Sequence, residues 1–321
     1  MNIKKYFNRT GVSYFAFGAI AMGLQFLISL VIGKIWPMAF IHDWLVWLIS
    51  FGSMYLAAFP VCAKLMKKLP QKQLYQHDMR FKTWILLMSM IICLMFFGSI
   101  VGNIVDTVIT GASGLAGGSD ANDLVMGSNL GIVLLVVVVI GPIVEEILFR
   151  KILIDRLIVF GDKAAILISA IMFALFHGNF TQLFYAFGVG LMFGYVYVRT
   201  GRLKYSITMH IAVNFLGGFV PALFMKLMDL SQMQYNLYMG ELGSVMNRMG
   251  VVVGLLLFEL AMIGVAITGL VMLIRYRKRF AFKQGEMQLG RIEVLKNFVT
   301  HPGMILYLAL CVFMFIMNLR S

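Results

Sequence analysis

LGIVLLVVVVIGPIVEEILFR, residues 130–150, decides the fold. Up to Phe149 the only charges in this run are Glu145 and Glu146, set among Val, Ile and Leu. About 20 apolar residues are what an α-helix needs to cross roughly 30 Å of hydrocarbon. A carboxylate at the centre of such a span costs roughly 2.5–3.5 kcal/mol on insertion scales, so two adjacent ones persist only where they are partnered or used. Pro142 removes a backbone hydrogen bond three residues before Glu145 and predicts a kink. Beyond it Arg150, Lys151, Asp155 and Arg156 appear among Ile and Leu. The span is expected to bend there and leave toward one membrane face.

The remainder of the chain reads the same way. Hydrophobic residues make up 61% of its 321 residues and charged ones 13%, against about 25% charged in a soluble domain. The expectation is an all-α polytopic membrane protein of eight or nine transmembrane helices around an intramembrane active-site cavity. Candidate spans are 12–36, 44–63, 83–105, 129–149, 164–181, 183–199, 205–225, 250–274 and 302–319. The fifth, sixth and ninth are short or poorly separated. The whole, 1–321, reads as a single membrane domain with no internal repeat. The stretch 106–128 reads as a polar Gly/Ser/Asp loop. The stretch 275–300 reads as a basic, mildly amphipathic interfacial helix.

A net charge of +13 might suggest nucleic acid as a partner, but its placement excludes that class. Of 27 basic residues, 23 fall in 1–13, 64–82, 150–163, 199–204 and 275–296, while 37–43 and 106–128 hold none. That alternation is the positive-inside pattern of a multi-pass protein of a cell membrane, with a cytoplasmic N-terminus and its basic loops against anionic lipid headgroups. Nine spans would put the C-terminus outside. The apolar run after MNIKKYFNR is too long for a cleaved signal and reads as a retained first helix. Cys62, Cys93 and Cys311 stand singly in apolar spans and read as packing residues.

Three spacings carry chemistry. In Glu145-Glu146-x-x-x-Arg150, Glu146 and Arg150 lie four apart on one helix face and Glu145 points about 100° away. Arg150 can neutralise Glu146 and leave Glu145 free as a base. In Phe173-x-x-x-His177, Phe173 lies one turn before the imidazole and can wall a site. In His210-x-x-x-Asn214 both side chains project from one face. Singly, either histidine is more often a hydrogen-bonder between helices than a catalyst. Together the groups supply a base for water and donors for an oxyanion, the two needs of peptide hydrolysis. Glu145, His177 and His210 also compose a His₂Glu donor set for zinc or another divalent metal. The residues leave open whether a metal or none is used. Ser169 lacks the context of a nucleophile. Glu259, in mid-span, reads as a hydrogen-bonder to a neighbouring helix or as part of the cavity wall.

EExxxR, FxxxH and HxxxN, in this order across successive spans, resemble the CPBP family of CAAX prenyl endopeptidases and bacteriocin-processing (Abi) proteins. The resemblance covers residues 129–220, the expected catalytic core. It implies intramembrane proteolysis of a membrane-associated or lipidated peptide or protein, opening toward the cytoplasm. On that resemblance Glu145, His177, His210 and Asn214 are catalytic and Glu146, Arg150 and Phe173 supporting, in a metalloprotease or a glutamate-type protease. A non-catalytic membrane factor for bacteriocin immunity or partner binding is the alternative. A proton-coupled transporter ranks last, because only one broken helix is evident where paired ones are expected.

Overall fold

The computed structural model describes residues 3–113, 120–287 and 290–320. It is 87% helical, with no strand among the described residues. The helices are α1 (Ile3–Ile35), α2 (Asp43–Met66), α3 (Phe81–Ser113), α4 (Asp120–Gly127), α5 (Leu130–Phe160), α6 (Asp162–Phe176), α7 (Phe180–Thr200), α8 (203–228), α9 (Leu230–Tyr238), α10 (Leu242–Tyr276), α11 (Arg291–Thr300) and α12 (Pro302–Arg320). Among the described residues, eight helices are long and apolar enough to cross a membrane. The expected span at 164–181 is corrected to α6. Its 15 residues reach about 22 Å, shorter than any of those eight, and with the turn at 177–179 it carries the chain from the basic end to the start of α7 beside Gly102. It lies inside the bundle, with Ala165, Ser169, Ala170 and Met172 fully buried.

Backbone contacts sort the connections into two ends. At one end Lys72 N–H donates to Asp155 O and His77 N–H to Thr200 O, while Asp162 N–H donates to Lys283 O. Tyr6 packs on Phe160 there, and Asn8 accepts from the backbone N–H of Gly303. Asp78 ties the same loop to the start of α8. The hydroxyl of Tyr205, helped by Arg202 and Lys204, holds its carboxyl below the usual range. This end gathers the basic segments. At the far end Asp43 accepts from Asn129 N–H, Trp47 donates to Ser128, and Lys226 donates to Ser128 O.

Two connections differ from their sequence reading. The expected loop at 106–128 is largely helical. α3 continues to Ser113, with Thr107 and Thr110 turning their hydroxyls onto Asn103 O and Asp106 O of their own helix. α4 follows, and 114–119 lie outside the described residues. In the expected interfacial helix at 275–300, residues 280–287 instead lie outside any helix. Met287 N–H donates to Val159 O, and Lys283 N–H donates to Asp162. Gly285 permits this approach, since a Cβ there would lie 2.2 Å from Gly161 N. Helix resumes only at α11.

Simple counting at 1.5 Å per residue puts His177 about 20 Å and His210 about 9 Å from the basic edge, a mismatch in depth. It is absorbed at the start of α6. Ile166 lies beside Ile154 and Gly194, and Ser169 bonds Arg150, so the first turn of α6 extends past this layer. Gly190 and Gly194 admit α6 closely, against Ala170, Phe173 and Ile166.

α12 closes the bundle on α1. A Cβ on Gly11 would lie 2.1 Å from the Gly303 carbonyl carbon, whereas one on Gly23 meets nothing within 4 Å. Gly11→Ala should therefore lower the thermal unfolding midpoint in detergent by several degrees, because the two backbones must separate. Gly23→Ala, a helix-favouring change, should leave it level or raise it.

Candidate active site

Pro142 shapes the site through the bond it cannot make. Gly141 N–H donates five residues back, to Val136 O, closing a wide π-type turn over Leu134–Ile140. The next carbonyl in that register, Val137 O, would receive the N–H that proline lacks. The side-chain amide of Asn214 donates to it instead, at 2.9 Å. The same device occurs twice more. Phe59 N–H donates to Met54 O ahead of Pro60, and Val220 N–H donates to Phe215 O ahead of Pro221. Wide turns of this kind recur at functional sites. Here the turns ahead of Pro142 and Pro221 border one cavity of about 600 Å³, whose wall includes Val137, Gly141, Gly217 and Gly218, and Phe51 joins that wall from the turn of α2 just before Gly52.

The two glutamates part company as their spacing predicts. Glu145 borders the cavity with 28% of its side chain exposed, while Glu146 and Arg150 are wholly buried. Arg150 Nε lies 3.2 Å from Glu146 Oε2. The contact is ionic rather than a well-aligned hydrogen bond, since neither atom completes one. Arg150 gains further partners in Ser169, which accepts from it at 2.9 Å, and in the rings of Phe173 and Phe193 beneath its guanidinium. Ser169 in turn donates to Phe149 O in the wide turn that follows the glutamates. It is fully buried and serves the scaffold.

His210 bridges both acids. Its Nδ1 lies 3.1 Å from Glu146 Oε1 and its Nε2 lies 3.7 Å from Glu145 Oε2. His177 borders the same cavity, but its Nδ1 lies 2.8 Å from Phe173 O. A carbonyl only accepts, so Nδ1 carries a proton, and in the neutral ring Nε2 then presents a lone pair. His210, rather than His177, is thus the imidazole in ionic range of Glu145. Phe173 touches both imidazoles edge-on, at 4.8 Å and 5.7 Å between centroids. The structure therefore brings Glu145, His177, His210 and Asn214 to one cavity, with Glu146, Arg150 and Phe173 behind them. Glu259 lies on α10, and no residue of that helix borders the cavity.

As placed, the donors Glu145, His177 and His210 do not compose a metal centre. Among the described residues no group of three or more His, Cys, Asp or Glu is arranged to hold an ion. Sequence reasoning missed Phe193, which stacks on His210 at 4.9 Å, and the contributions of α2, α3 and α4 to the wall. Pro221 is the signal that could have located one of the walls, through Gly217 and Gly218.

Removing one partner of a buried ion pair costs about 3–5 kcal/mol, whereas replacing both with apolar or neutral groups is often nearly neutral. Arg150→Met should accordingly unfold the protein far below the wild-type temperature. The double change Glu146→Gln with Arg150→Met should recover most of that loss in the same thermal assay.

Residues 127–216 match the family described as type II CAAX prenyl endopeptidase Rce1-like. The chain is similar to the membrane-embedded CAAX protease MroQ of Staphylococcus aureus, 33% identical over 104 residues, 30% of this chain and 41% of that protein. It is also similar to the putative membrane peptidase YdiL of Bacillus subtilis, 35% identical over 80 residues, 24% and 32% of the two chains. The chain thus spans less than half the length of either relative. No solved structure matches.

Proposed function

We propose, from the match of residues 127–216 to the Rce1-like CAAX protease family, that the chain is an intramembrane endopeptidase. Its substrate is a membrane-associated or lipidated peptide or protein. One observation carries the reading: of two adjacent glutamates, only Glu145 reaches the cavity, and it does so beside two imidazoles.

In this reading Glu145 takes a proton from a cavity water, and the resulting hydroxide attacks the scissile carbonyl carbon. The neutral His177 Nε2 accepts the water's other hydrogen and fixes its direction. Asn214 holds Val137 O with one amide hydrogen, leaving the second for the oxyanion. His210 already gives Nδ1–H to Glu146, so it donates through Nε2 only when doubly protonated. Collapse of the tetrahedral intermediate breaks the C–N bond, and the proton on Glu145 passes to the leaving amine. Glu146 and Arg150 position His210. No step passes through a metal, because the donors as placed form no three-ligand group.

The basic end is assigned to the cytoplasm by the positive-inside rule. The N-terminus then lies inside. α12 starts beside Asn8 at that end, so the C-terminus lies outside.

The test compares peptide termini in membranes containing wild-type protein or the nearly isosteric Glu145→Gln variant at equal expression. Termini that vanish in the variant, with an unchanged unfolding midpoint, are expected. Unchanged termini with a surviving phenotype would replace the peptidase by a non-catalytic binding or immunity factor. Cleavage by purified protein should persist in chelator. Loss in chelator that zinc restores would instead move Glu145, His177 and His210 into a metal site.

A further inference from the structure

The cavity has a direction. α2 enters at the far end and contributes Trp47, Ser50 and Phe51 from its first turns. α7 also starts there and contributes Thr181 and Gln182, while α3 contributes Ser99 and Asn103 from its later half. Leu124, Val125 and Met126 of α4 complete that side. On the basic side of Glu145 the bundle is closed. Glu146, Arg150, Leu153, Asp155, Ser169 and Tyr197 are each at most 1% exposed. Tyr197 donates to Asp155 across that layer at 2.7 Å. Below the glutamates, therefore, side chains fill the space through which a peptide from the basic end would have to pass.

Size and charge restrict what can occupy the cavity. A helix about 10–12 Å across has a cross-section of roughly 80–110 Å², so about 600 Å³ holds little more than one turn. An intact membrane-spanning helix does not fit, whereas an unwound or terminal segment does. Among the described residues Glu145 is the one acid on the wall, and no Lys or Arg borders it. A substrate carboxylate near the scissile bond would find no cation to meet it. Neutral or basic residues suit the wall.

We propose that the cavity is loaded from the end opposite the basic loops, which the positive-inside rule makes the extracytoplasmic face, by an extended, neutral or basic peptide segment. This deepens the peptidase reading and rests on it for the word substrate. It runs against the cytoplasmic opening that the family resemblance implies. The rim is braced for such an approach. Trp47 Nε1 donates to Ser128 at 2.7 Å, Asp43 accepts from Asn129 N–H at 2.6 Å, and Lys226 caps Ser128 O. These bonds hold the connection between α4 and α5 beside the mouth.

The three native cysteines are buried and free, so the full chain with all three changed to Ala suits thiol mapping. Ser50→Cys and Ser99→Cys place a thiol on the wall, and Lys72→Cys marks the basic end. Each is treated with a membrane-impermeant methanethiosulfonate in right-side-out and in inverted vesicles. The two wall variants should react at least tenfold faster right-side-out, and Lys72→Cys at least tenfold faster inverted. Wall variants that react faster in inverted vesicles would overturn the proposal. So would wall variants that react only with permeant N-ethylmaleimide, since the cavity would then open to lipid alone. The labelling needs no turnover and should be the same in the Glu145→Gln background. If the labelling holds while Glu145→Gln still cleaves, the peptidase reading fails and the direction of access stands.

Discussion

Glu146 is a carboxylate with no exposed surface in the middle of an apolar helix, and the arrangement of four helices follows from keeping it there. An ion of this kind is tolerated in a low-dielectric interior only when other charges and donors surround it. Arg150 supplies the charge from one turn further along the same helix, and His210 supplies a donor from α8. Arg150 then needs an environment of its own. It finds this in Ser169 and Phe173 of α6 and Phe193 of α7. Each side chain recruited to stabilise Glu146 also fixes a wall of the space that Glu145 faces. The buried acid organises the scaffold, and the partly exposed one faces the cavity.

Much of this was legible in the sequence. The i, i+4 relation of Glu146 and Arg150 separates the roles of the two acids without any knowledge of tertiary structure, because 100° per residue turns Glu145 away. Apolar lengths gave the helices, and the alternation of basic segments matches the sorting of loops into two ends. Depth was not legible. Span edges read from hydropathy ignore where neighbouring helices meet, and the first turn of α6 extends past the layer where Ile166 meets Ile154. The bond from Asn214 to Val137 O spans 77 residues and answers a donor missing at Pro142. Nothing in the local pattern of either segment announces it. Glycine spacing likewise gives no hint that 280–287 would lie outside any helix along the α5–α6 turn, since the close approach of Gly285 and Gly161 is a tertiary contact.

The match to the CAAX endopeptidase family ends at residue 216, yet the cavity does not. Trp47, Ser50 and Phe51, together with Met95, Ser99 and Asn103, face the same space from helices outside the matched segment. The proposed reacting centre lies within the matched segment. A large part of the surface that would read a substrate lies outside it. Similarity over the core speaks to chemistry and says little about sequence preference.

The clasp between α1 and α12 also sets a timetable. Asn8 and Gly303, joined by a hydrogen bond, stand 295 residues apart, and Tyr14 donates to Leu148 O across 134. At about 5–20 residues per second, the ribosome delivers Gly303 roughly 15–60 s after Asn8. Through that interval the first helix must wait in the bilayer with its glycine face uncovered. A nascent chain holds Glu145, Glu146, His177, His210, Pro142 and Pro221 before the bundle around them is closed. α12 is thus a gate on maturation, since the core can first become rigid only after Gly303 has reached the bilayer.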